Sequence, residues 1–236
     1  MSQPAISLGF FDPAREVHGI LRSGVAVLFE GARSRTLDEL PEIEPDGAGG
    51  YRGRCGDEVD LTFHPYSPEA DLGGASVRMC RVEGRAADQL VECLGTVGET
   101  RQPPAWAELD AVRLVAALFD EENAVVLAAR RPRGAIGHGQ ELVKAHLLSA
   151  GELLAVEDGR ISTVYDAQGR QRSVGLELWM PGEDFPRRGS GSVRAGLSLA
   201  LEGLRVDAGL VAWRMEGREG AGSYEITVRD APGEAA

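Results

Sequence analysis

The chain has 236 residues, 43% apolar and 26% charged, a composition that excludes a largely disordered protein. Its 37 acidic residues outnumber 25 basic ones, for a formal net charge of -12 spread along the length, which argues against a nucleic-acid partner because phosphate binding needs a basic footprint. Three cysteines without C-x-x-C spacing give neither a disulfide framework nor a zinc ribbon, and are read as buried, inert thiols.

The opening MSQPAISLGFFDP has no cationic segment ahead of an apolar run, and nowhere do about eighteen uncharged apolar residues follow one another. The expectation is a cytoplasmic protein with no membrane partner. Short, glycine-bounded stretches rich in β-formers then follow at 19–31, 51–65, 75–84 and 88–99. Between them, DELPEIEPDGAGG (38–50) reads as an acidic loop beside the first half. The paired prolines of GETRQPPAW (98–106) cannot continue a ladder and read as a linker. They divide the chain near Gln102 into an N-terminal β-domain, 1–101, and a C-terminal β-domain, 102–236.

After the linker, AWAELDAVRLVAALFDEEN (105–123) places Leu109, Val112, Ala116 and Phe119 at helical spacing. Val112, Leu114, Ala116 and Leu118 also alternate, and ENAVVLAARR follows an acidic turn as a return strand, so the reading favours a hairpin over a helix. The arginines of AARRPRG (128–134) are taken as a solvated turn. In ISTVYDAQGRQRSVGLELWM, Ile161, Thr163 and Tyr165 share one face, DAQGR turns the chain, and Val174, Leu176, Leu178 and Met180 share the next face. The same period of two continues in GSVRAGLSLALEGLRV, and in GLVAWRMEGREGAGSYEITVRD, where two strands flank a glycine-rich turn. The last third is therefore an antiparallel meander.

GHGQELVKAHLL (137–148) is the stretch with chemistry in it. As a helix it would set His138 and His146 eight apart, whereas a zinc helix needs them four apart with a glutamate between. No metal is expected. As a strand it points Glu141, Val143, Ala145 and Leu147 one way and Leu142, Lys144 and His146 the other, with His138 on the histidine side. A carboxylate among apolar neighbours can serve as an acid or base, so Glu141, with His146 or His138, is the candidate catalytic set. Glu177 and Trp179 share a face of the later strand and, with Tyr165, are candidate ligand-lining residues. No phosphate-binding loop, nucleophile elbow or calcium loop is present.

The order of GHGQELVKAHLL, ISTVYDAQGRQRSVGLELW and a closing run of antiparallel strands resembles the C-terminal part of the AttH and carotenoid-hydratase family of lipocalin-like proteins. FFDPAREVHGILRSGVAVLFEG resembles that family's N-terminal opening. The resemblance implies an all-β fold of two packed calycin-type barrels or half-barrels, and a pocket for an apolar or amphipathic small molecule of terpenoid, steroid-like or polyketide type. It implies cofactor-free acid/base hydration or isomerisation if the protein is an enzyme. A carrier without catalysis, or a β-sandwich interaction module, is the alternative. The many strand edges leave a homodimer open.

Overall fold

The computed structural model describes residues 4–136, 138–201 and 203–229. Among them the regular structure is strands and one 3-10 turn at His138–Gln140, with no α-helix. The first half supplies β1 (Ala5–Asp12), β2 (Val17–Arg22), β3 (Val25–Glu30), β4 (Arg33–Thr36), β5 (Glu42–Pro45), β6 (Tyr51–Cys55), β7 (Val59–Pro65), β8 (Ala70–Asp71), β9 (Ala75–Ala86) and β10 (Gln89–Thr100). The second supplies β11 (Leu109–Asp120), β12 (Asn123–Pro132), β13 (Leu142–Ser149), β14 (Glu152–Ala155), β15 (Asp158–Tyr165), β16 (Gln171–Trp179), β17 (Arg187–Leu201), β18 (Leu204–Met215) and β19 (Arg218–Arg229). Residues 105–123 thus form a strand that turns into its partner, as the alternation predicts.

Each half is one curled antiparallel half-barrel sheet, and the two pack together. The N-terminal sheet runs β4-β3-β2-β1-β10-β9-β7-β6-β5, with the two-residue β8 attached to β9. The C-terminal sheet runs β14-β13-β12-β11-β19-β18-β17-β16-β15. With β8 set aside, the two orders are the same: four strands wind outward from the centre, five return from the far edge, and the first strand closes on the last. The central ladders set Leu8 opposite Val97 in one half and Val115 opposite Tyr224 in the other.

Because a strand's side chains alternate between faces, two stacked half-barrels need three apolar layers. One fills the N-terminal half-barrel around Leu8, Phe10, Leu61, Phe63 and Val82. Another fills the C-terminal one around Val115, Leu127, Leu176, Trp213 and Tyr224. The third lies between the sheets and joins Phe11, Ile20 and Phe29 of the first half to Leu118, Val126 and Leu210 of the second. Central strands are therefore buried on both faces, and their sequences are apolar at nearly every position, as in β12, where Ala124 to Ala129 are all buried. Each fully buried Phe or Leu contributes about 1.5–3 kcal/mol of transfer free energy. No helix among the described residues is long and apolar enough to cross a membrane.

Three segments depart from the sequence reading. Residues 38–50 are not all loop: Glu42–Pro45 form β5, an edge strand paired with β6, whose charged residues suit an unpaired edge. Arg130 and Arg131 do not sit in a solvated turn. They belong to β12 and are half-buried, and Arg130 donates to the carbonyl of Gly73 across the two halves. The reversal before β19 is made by Glu216 and Gly217 alone, with φ of 50° and 78°, as a two-residue hairpin turn requires. Gly220 and Gly222 lie inside β19, where β11 passes so close that an added Cβ at Gly222 would land on the carbonyl oxygen of Ala116.

Candidate functional site

Two places in this architecture hold polar chemistry in apolar surroundings. The first is inside the C-terminal half-barrel. β13 keeps the predicted alternation, with Val143, Ala145 and Leu147 inward, and Glu141, in register with them, is carried inward from the turn ahead of the strand. Its side chain is 2% exposed and its Oε1 lies 3.1 Å from Nη2 of Arg113, itself 6% exposed. Arg113 stands on β11 in step with the interior residues Val115 and Ala117.

The pair is close but poorly aligned. Among the described residues Glu141 Oε1 accepts no hydrogen bond and Arg113 Nε has no partner, and Arg113 Nη1 donates to the carbonyl of Ile161 at 3.5 Å, the outer limit for such a bond. On the same side, the hydroxyl of buried Tyr224 lies 2.6 Å from Thr163 Oγ1. Burial pushes the Tyr224 phenol up to about 12, so it stays protonated as a donor. Along this face of β15 exposure rises from 2% at Ile161 to 49% at Tyr165, so this end of the half-barrel lies at the surface.

The second place is a cleft of about 240 Å³ between the two sheets. Ile20, Leu72 and Val77 of the first half face Leu114, Ala116 and Val126 of the second across it. Arg22 of β2 and Glu225 of β19 meet there, with Arg22 Nη2 donating to Glu225 Oε1 at 2.6 Å. The Glu225 side chain is 9% exposed and that of Arg22 23%. These partners are 203 residues apart in the chain, and only the stacking of the sheets brings them together.

The other predicted residues are spread over different faces. His146 lies on the face of β13 opposite Glu141, near Asp71 and Lys144. Its pKa is lowered by burial, against a smaller opposing pull from Asp71. Glu141 and His146 are therefore not brought together. His138 lies in the 3-10 turn, and its side chain lies outside the described residues. Glu177 and Trp179 are on the outer face of β16: Glu177 accepts from Arg188 Nε at 3.1 Å, and the Arg160 guanidinium stacks 4.9 Å over Trp179. Among the described residues no group of three or more His, Cys, Asp or Glu is placed to hold a metal ion. Cys55 and Cys80 are buried and Cys93 half-buried, all unpaired. Burial pushes Cys80 and Cys93 up to about 12, which leaves them unreactive.

Sequence reasoning passed over His18. It lies on β2 between Phe11 and Phe29, 5% exposed, and burial lowers its pKa to about 4 against the opposing charge of Asp12. It folds neutral, while the unfolded chain takes up a proton nearer pH 6.5. Its contribution to stability is thus whole above that value, declines as pH falls, and is spent below about 4. From the two pKa values, His18 accounts for a loss of about 2 kcal/mol between pH 7 and pH 5. Urea unfolding at both pH values checks this: His18→Gln should shrink the difference by that amount, and an unchanged difference would exclude His18 as its source.

The two half-barrels and the apolar layer between them make a lipocalin-like fold of two packed sheets. The fold is shared with solved structures of a candidate AttH, a hydratase and CghA, as the resemblance in the sequence led one to expect. A candidate AttH from Nitrosomonas europaea superposes with a TM-score of 0.66 at 13% identity, covering 96% of this chain and 93% of that one. Kievitone hydratase from Nectria haematococca gives 0.62 at 12% identity, with 97% and 89% covered. CghA gives 0.60 at 12% identity, with 98% and 89% covered. No family model and no curated protein sequence matches the chain.

Proposed function

We propose that the protein binds a compact apolar or amphipathic small molecule, of terpenoid, steroid-like or polyketide character, in the cleft between its half-barrels. The observation that carries this is the cleft's make-up: aliphatic walls from both sheets and one ion pair, Arg22–Glu225, facing the space. A few convergent polar groups in an apolar recess are what orient a largely apolar guest. Leu114, on this wall, is 39% exposed, an apolar surface that a ligand would cover.

The pair also suits cofactor-free acid/base work. Glu225, held next to a guanidinium, is a base able to activate water or take a proton from carbon, and Arg22 can polarise a carbonyl. Hydration or isomerisation is the reaction class proposed, a reading supported by the fold shared with kievitone hydratase.

Native mass spectrometry of protein purified from a rich lysate, followed by denaturing extraction, tests the reading. A stoichiometric apolar molecule should come off the wild type and be absent from Thr96→Trp, whose indole would fill the cleft. Glu225→Gln should keep the molecule and lose its conversion. A Thr96→Trp variant that retains the molecule would sink the cleft assignment, a fully active Glu225→Gln would remove Glu225 as the base, and a wild type that never converts the molecule would reduce the protein to a carrier.

A further inference from the structure

The Arg113–Glu141 pair lies on the other side of the C-terminal sheet from the cleft, and that function does not use it. Burying two charges costs several kcal/mol per ion unless good geometry and further hydrogen bonds offset it. Here the guanidinium has one long bond to a carbonyl, one off-line approach to Glu141 and an Nε without a partner among the described residues. A planar fork of five donors, nearly all of it enclosed, is under-used.

The three groups around it differ in how firmly they are held. Arg113 and Tyr224 belong to the central strands β11 and β19, and Thr163 to β15, whereas Glu141 precedes β13 and makes no ladder hydrogen bond of its own in the pairing with β12, which ends at Leu142. The carboxylate is thus the component that can leave without breaking a sheet. On β15 the face that carries Thr163 reaches the surface at Tyr165, 49% exposed.

We propose that Arg113 is a carboxylate-binding site at the mouth of the C-terminal half-barrel, that Glu141 occupies it in the ligand-free protein, and that its ligand is a small apolar molecule with a carboxylate head. The incoming carboxylate replaces Glu141 on the guanidinium fork, with the Tyr224 hydroxyl as a second donor. The interior then holds one cation and one anion both before and after exchange, so binding adds no net charge to a low-dielectric site. The apolar part of the ligand rests on Tyr165 at the rim.

The probe is 3-phenylpropionate, with 3-phenylpropan-1-ol as its neutral match, each titrated by calorimetry. The wild type should bind the acid more tightly than the alcohol. Glu141→Gln, which removes the competing carboxylate, should bind the acid at least tenfold more tightly than wild type and the alcohol no differently. The double variant Arg113→Gln/Glu141→Gln, which leaves no lone buried charge, should lose the preference for the acid. In wild type, saturating acid should speed amide hydrogen exchange at 141–143 as Glu141 is released. Equal affinity for acid and alcohol, no gain in Glu141→Gln, retained preference in the double variant, or slowed exchange would each overturn the proposal.

Discussion

Arg113→Met is expected to destabilise the protein by about 3–5 kcal/mol, because it strands the Glu141 carboxylate in an apolar interior. Glu141→Leu should cost a comparable amount by stranding the guanidinium, whereas the double variant Arg113→Met/Glu141→Leu should lie within about 1 kcal/mol of wild type or above it. The side chains are 6% and 2% exposed, so solvent screens neither charge. Urea denaturation of the four proteins closes the cycle. A double variant as unstable as either single would mean that the pair holds β11 to the turn before β13, and that stability alone explains its presence. A near-neutral double variant would mean that the charges are kept for something other than folding.

Gly222→Ala is expected to lose about 2–3 kcal/mol, a fall of roughly 4–12 °C in Tm for a chain of this size. The new methyl would meet the carbonyl of Ala116, and that atom belongs to a central strand that cannot swing aside. Gly189→Ala supplies the comparison. It makes the same chemical change within a strand, but its Cβ would sit 3.5 Å from the nearest side-chain atom of Leu176, an ordinary contact, and should cost no more than about 1 kcal/mol. Equal melting temperatures for the two variants would refute the close-approach argument.

The contrast between these glycines shows where the sequence was legible. Period-two alternation located the hairpin of β15 and β16 and decided β11 against a helix, because one apolar face at a time is a local signal. It misread Gly220 and Gly222 as a turn because glycine marks both a reversal and a close approach, and only the neighbouring strand tells them apart. Glu141 stood out as a charge in step with Val143 and Ala145. Arg113 did not, although it is a charge in step with Val115 and Ala117, because β11 is apolar on both faces and Leu114, Ala116 and Leu118 of the inter-sheet face alternate just as regularly. Arg22 and Glu225 carry no local signature at all, since their meeting depends on how two sheets stack.

The closing of first strand on last has a consequence for how the chain is made. In the C-terminal half, β11 and β18 do not touch through a ladder; β19 stands between them. Until residues 218–229 have left the ribosome, that half can exist only as two separate ladders, β14 to β11 and β18 to β15, each with an exposed central edge. The N-terminal half meets the same requirement much sooner, at β10, and can be complete while the second is still being synthesised. Completion of this sheet therefore takes the insertion of one strand into its middle, the step at which a nascent chain is most open to pairing with a neighbour.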